Sequence, residues 1–111
     1  MNANNTENLS EISQPVLKRT LDIICGKWRL YIIFQLSKQD YRYGELRRMI
    51  PEVSEKVLIQ ELKTLVSLGV LQKRSYNEVP PRVEYGLTPK AREILPVLKE
   101  IATIGKTFLD V

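Results

Sequence analysis

Histidine is absent from this sequence of 111 residues, and cysteine occurs once, at Cys25. Without histidine there is no Ser-His-Asp or Cys-His nucleophile arrangement, no histidine metal site and no side chain whose ordinary pKa suits base catalysis near neutral pH. A single cysteine forms no intrachain disulfide, and no charged and then apolar leader opens the chain, so a cytoplasmic location is expected. The five glycines, Gly26, Gly44, Gly69, Gly86 and Gly105, stand singly, which leaves no glycine-rich loop to cradle a phosphate. The longest apolar run, Leu30 to Phe34, falls far short of the ~20 residues that span a membrane. The expectation is therefore no enzyme, no cofactor, no metal and no membrane partner.

What is present is ordinary globular composition, 43% hydrophobic and 27% charged, in a length that suits one domain. The net charge of +4, from 17 Lys and Arg against 13 Asp and Glu, favours a polyanion as partner. Residues 1–40 carry 5 − 4, residues 41–88 carry 8 − 6 and residues 89–111 carry 4 − 3. No segment is a basic tail, so a nucleic-acid footprint must come from cations that the fold brings together.

Residues 1–14 begin rich in Asn, Thr, Ser and Glu and read as a flexible arm ahead of a domain over 15–111. Pro15, tolerated at a helix start, followed by Leu17, Leu21 and Ile24 predicts a helix over 15–25 that Gly26 interrupts. Trp28, Ile32, Ile33 and Leu36 predict a second helix. A short third one over 43–50 turns Leu46 and Ile50 inward and Arg47 and Arg48 outward, and Pro51-Glu52-Val53 makes a tight turn. Ser54 is a good N-cap for a fourth helix over 54–68, where Glu55 complements the dipole, Leu58, Leu62 and Leu65 form the buried stripe, and Gly69 is the stop.

Past Gly69 the period changes to that of strands, over 70–76 and 82–87, joined by Asn77 to Pro81. Thr88 caps a final helix with Pro89 at its first position. Ile94, Leu98, Ile101 and Phe108, beside Leu95, Ala102 and Leu109, give this helix an apolar arc wider than one core needs. Pro96 lies inside it, where an unbroken helix would lose ~3 kcal/mol or more, so a kink near Leu95 is expected. Four helices, two strands and a helix make an α+β, mainly helical domain.

Helix 43–50, its turn and helix 54–68 have helix-turn-helix spacing, whose second helix can enter a major groove about 12 Å wide, with the hairpin as a wing. An αα-hairpin packed for stability alone fits the same spacing. Gly26-Lys27-Trp28, Tyr43, Glu45-Leu46, Arg48, Val53-Ser54-Glu55-Lys56, Leu65 to Leu71 and Pro80-Pro81-Arg82-Val83-Glu84-Tyr85-Gly86-Leu87-Thr88 together resemble the HxlR family of bacterial winged helix-turn-helix regulators. The resemblance runs from about Pro15 to Gly105. It implies a homodimer that binds double-stranded DNA, with N- and C-terminal dimerisation helices.

Three positions depart from the family pattern. Gln14 stands where the family usually has a cysteine that in several members senses oxidants or electrophiles, so that route is absent here. Ile59 replaces a usual threonine, which puts an apolar group on the expected base-reading face and suits a thymine methyl. Ile104 replaces a frequent tryptophan and changes the expected dimer packing in detail.

The expected DNA-binding set is Ser54, Lys56, Ile59, Gln60 and Lys63 on the fourth helix, Arg42 and Arg48 at the third, and Arg74 and Arg82 on the wing. Arg82 is expected to meet a phosphate, so that Arg82→Ala would shrink the salt slope. Leu17, Leu21, Leu98, Ile101 and Phe108 are the expected dimer interface. Cys25 reads either as a small buried apolar residue or as a thiol made reactive by nearby Lys27. The functional expectation is a repressor on a two-fold-related operator; the alternative is a winged-helix protein adaptor that does not touch DNA. The sequence assigns no small-molecule effector.

Overall fold

The computed structural model describes residues 9–109. Most of the expected arm, residues 1–8, lies outside the described residues. A 3₁₀ turn, Leu9–Glu11, leads into α1, Gln14–Ile24. Ser13 caps α1, its hydroxyl accepting a hydrogen bond from the Val16 N–H at 3.4 Å, and Pro15 sits in the first turn, where its missing N–H costs nothing. Beyond α1 come α2, Arg29–Leu36; β1, Tyr41–Arg42; α3, Tyr43–Met49; α4, Glu55–Ser67; β2, Leu71–Tyr76; and β3, Arg82–Leu87. A 3₁₀ turn, Lys90–Ile94, runs into α5, Leu95–Leu109.

The core lies where α2, α3 and α4 meet the sheet. Ile32, Ile33 and Leu36, Leu46 and Ile50, Leu58, Leu62 and Leu65, and Leu71 and Leu87 are all buried there. These are the apolar positions that helical and strand periodicity select, because only one face of each element can leave water. Neither α1 nor α5 contributes a buried residue.

α4 ends as its sequence dictates. Gly69 takes φ +79°, a conformation strained for residues with a Cβ, and so lets its N–H reach the Val66 carbonyl at 3.1 Å and the Val70 N–H reach that of Leu65 at 2.9 Å. This double bond pattern turns the chain from the helix directly into β2.

The sheet is antiparallel in the order β1–β3–β2, with Tyr41 opposite Tyr85, Arg42 opposite Glu84, Arg74 opposite Glu84 and Tyr76 opposite Arg82. Two residues are too few to carry a period, which is why β1 is invisible in the sequence. Thr88 does cap the next helical turn, accepting from the Ala91 N–H at 3.2 Å, and its hydroxyl also donates to the Gly69 carbonyl at 2.8 Å, tying the C-terminal segment to the end of α4.

Near Leu95, where a kink is expected, the helix changes type. Lys90–Ile94 is 3₁₀, and α5 starts at Leu95, which puts Pro96 in a first turn whose N–H groups need no intrahelical partner. Among the described residues no helix is long and apolar enough to cross a membrane. Three core helices with a hairpin beside the second helix of the α3–α4 unit make a winged helix-turn-helix.

Candidate nucleic-acid interface

The α3–α4 unit is held at its turn by side chains. Val53 is buried and its N–H meets the Ile50 carbonyl at 3.3 Å, while Arg47 donates from Nη1 to the Val53 carbonyl at 2.8 Å. Arg47 is thus engaged in fixing the turn. Glu45 accepts from the Arg42 N–H at 2.8 Å and satisfies one donor at the start of α3. Ser54 accepts from the Val57 N–H at 3.2 Å, the capping role its residue type suggests.

Tyr43 and Glu55 connect the first turns of the two helices. The Tyr43 hydroxyl is shut off from water without a well-formed hydrogen bond. Burial first, and then the Glu55 carboxylate, push its pKa above the usual phenol value. Glu55 at the N-terminus of α4 therefore faces both the helix dipole and Tyr43.

With Leu58, Leu62 and Leu65 inward, the opposite side of α4 carries Lys56, Ile59, Gln60 and Lys63, all exposed. Together with Glu55 they line one shallow concavity. A single helix face thus offers two ammonium groups, an amide and an aliphatic side chain, the set of groups that meets phosphates, base edges and thymine methyls. Arg42 and Arg48 are exposed on β1 and α3, and Arg74 is exposed on β2.

Arg82 has partners within the hairpin. Its Nη2 lies 3.1 Å from Glu78 Oε1, its Nε 3.8 Å from Glu84 Oε2, and its guanidinium carbon 4.1 Å from the centre of the Tyr76 ring. Its guanidinium is engaged by all three groups of the hairpin.

One connection has no counterpart among the sequence motifs. Arg29, at the start of α2, donates from Nε to Glu61 of α4 at 2.8 Å and from Nη1 to the Asp22 carbonyl of α1. It joins the last turn of α1 to α4. Gly26 makes room for it, since a Cβ there would stand 3.0 Å from Arg29 Nε and 3.1 Å from its Cγ and Cδ. The glycine that reads as a helix break is thus also a clearance for a side chain, and its spacing of three from Arg29 was the only trace of this in the sequence.

Of the expected dimer residues, Leu98 and Ile101 line an apolar groove with Leu30, Tyr31 and Phe34 of α2. Leu17 and Leu21 are exposed on α1, and Phe108, 81% exposed, lies near the end of α5. Cys25 is exposed at the C-cap of α1, which corrects the expectation of a buried residue: α1 has no buried residue, and its end, with Gly26 and Lys27, faces solvent.

The sequence matches the family model described as HxlR-like helix-turn-helix over residues 23–111. An uncharacterised HTH-type transcriptional regulator of Halalkalibacterium halodurans is 42% identical over 87 residues, covering 78% of this chain and 77% of that protein. The crystal structure of a MarR-family transcriptional regulator from Porphyromonas gingivalis W83 superposes with a TM-score of 0.76 at 49% identity, covering 85% of this chain and 92% of that one. The redox regulator HypR in its oxidised form matches with a TM-score of 0.77 at 31% identity, covering 82% and 94%.

Proposed function

Because the chain belongs to the HxlR-like helix-turn-helix family of transcriptional regulators, we propose that it binds double-stranded DNA as a homodimer on a two-fold-related operator and represses there by occupying the duplex. The observation that carries this reading is the outward face of α4, where Lys56, Ile59, Gln60 and Lys63 converge on one concavity. α4 is proposed to lie in the major groove, with Gln60 reading adenine through N6 and N7, Ile59 against a thymine methyl, and Lys56 and Lys63 on phosphate or guanine. Arg42, Arg48, Arg74 and the Ser54 hydroxyl are proposed to face phosphates and set the register.

Gln60→Ala tests the placement of α4. The expected result is a changed preference at one base position per half-site, worth about 1–3 kcal/mol, with nearly unchanged affinity for random duplex. Selection of bound sites from a random pool, for wild type and variant, reads both quantities. A uniform loss on all sequences, or no effect, would overturn base reading through Gln60.

The dimer is inferred from helices that have no fully buried residue. α1 and α5 are amphipathic yet have no buried residue, and helices of 11 and 15 residues are marginal in water without a packed face. We propose that a second copy covers Leu17, Leu21, Leu98, Ile101 and Phe108, using the α2–α5 groove, whose lining is almost wholly apolar. Sedimentation at micromolar concentration should give twice the chain mass of 12.9 kDa, and Ile101→Asp should shift it to monomer. A wild-type chain that stays monomeric would sink the dimer reading.

A further inference from the structure

The outer face of the sheet carries opposite charges, of which Arg82, Glu78 and Glu84 have no part in the DNA contacts proposed above. Register places Arg42, Glu84 and Arg74 in one row across β1, β3 and β2, and Tyr76 opposite Arg82 in the next row on the same face. The Arg82 guanidinium carbon lies over the Tyr76 ring, 4.1 Å from its centre, with Glu78 at 3.1 Å and Glu84 at 3.8 Å. Its side chain is 28% exposed, and Nε is shut off from water with no partner at hydrogen-bond length. Arg82 thus pairs with two carboxylates, one of which, Glu84, is also in register with both Arg42 and Arg74.

We propose that Glu78 and Glu84 are specificity-determining residues that withhold Arg82 from DNA phosphate. The proposal rests on the reading that the chain binds duplex DNA. Phosphate contacts attract every sequence alike, whereas base contacts discriminate. With Arg82 neutralised, the wing offers Arg74 alone of its arginines to phosphate and adds less to the sequence-blind part of binding, so a larger share of the affinity comes from α4 in the groove. To meet a phosphate, Arg82 would have to leave two carboxylates and an aromatic face, and the incoming phosphate would meet Glu78 and Glu84 as well.

The test is the full-length double variant Glu78→Gln with Glu84→Gln, titrated with random-sequence duplex across a range of salt. Its affinity for random duplex is expected to rise roughly tenfold per protomer near 0.1 M salt, and its salt slope to steepen by about one unit per protomer, as one added phosphate contact requires. Adding Arg82→Ala to the double variant should abolish the gain, while Arg82→Ala in the wild-type background should leave the slope unchanged. A gain that survives loss of Arg82 means simple removal of carboxylate repulsion and overturns the proposal, as does a double variant that binds like wild type. Glu78→Gln alone, at the exposed tip, should give a smaller increase with the same dependence on Arg82, and serves if the double variant does not fold. A wild-type chain with no salt-dependent affinity for duplex would overturn the DNA reading itself, a result distinct from normal wild-type binding with an unresponsive double variant.

Discussion

Truncating Leu62 to alanine is expected to destabilise the protein by about 2–5 kcal/mol, the range for removing a fully packed leucine side chain and leaving a cavity. Leu62 is 1% exposed, between Leu58 and Leu65 in the stripe that holds α4 against the core. A small domain has a net stability of about 5–15 kcal/mol, so this one change removes a large part of it, and the melting midpoint should fall by roughly 10 °C or more. Lys63→Ala, one residue further on the exposed side, should change stability by no more than about 0.5 kcal/mol while weakening duplex binding. Thermal unfolding of the two variants by circular dichroism checks the pair. If Leu62→Ala melted like wild type and Lys63→Ala did not, α4 would be rotated from the orientation described, and its proposed reading face would fail with it.

The second large effect is expected at Arg29. Its bond to Glu61 joins side chains that are 17% and 15% exposed, and removing one member of a buried pair strands the other charge. Full burial would make that about 3–5 kcal/mol; the residual exposure of both groups lowers the expectation for Arg29→Ala to about 1–3 kcal/mol. Glu61→Ala should cost less, because Arg29 keeps the Asp22 carbonyl of α1 as an acceptor. Chemical denaturation of both single variants and the double variant gives the coupling, expected at about 0.5–3 kcal/mol. Additive single effects would mean that the ion pair does not hold α1 and α2 to α4.

Local rules were enough wherever an element's ends and inward face are set by its own residues. Ser54 as a cap, Gly69 at positive φ, Thr88 as a cap and the stripe Leu58, Leu62, Leu65 all appear where the sequence places them. A cap or a periodic stripe is written within a few consecutive positions, so neighbours in sequence carry the information. At Pro96 the local rule gave the place of the interruption but not its form. Proline is costly only inside a helix, and the 3₁₀ turn that moves the start of α5 to Leu95 is settled by packing around Ala91 and by the Thr88 clasp.

The sequence alone therefore determined the succession of helices and strands apart from the two-residue β1, the inward face of α4 and, through the motifs around Gly26 and Pro80 to Thr88, the family. Only the tertiary structure decided how charges are used. Arg82, Arg47 and Arg29 look like three equally available cations in the chain, yet one is held between Glu78 and Glu84, one closes the turn at Val53 and one joins α1 to α4. The reason is that an arginine's partner is chosen by distance in space over a long, flexible side chain. The Arg29 to Glu61 pair spans 32 positions of sequence, so no local pattern records it.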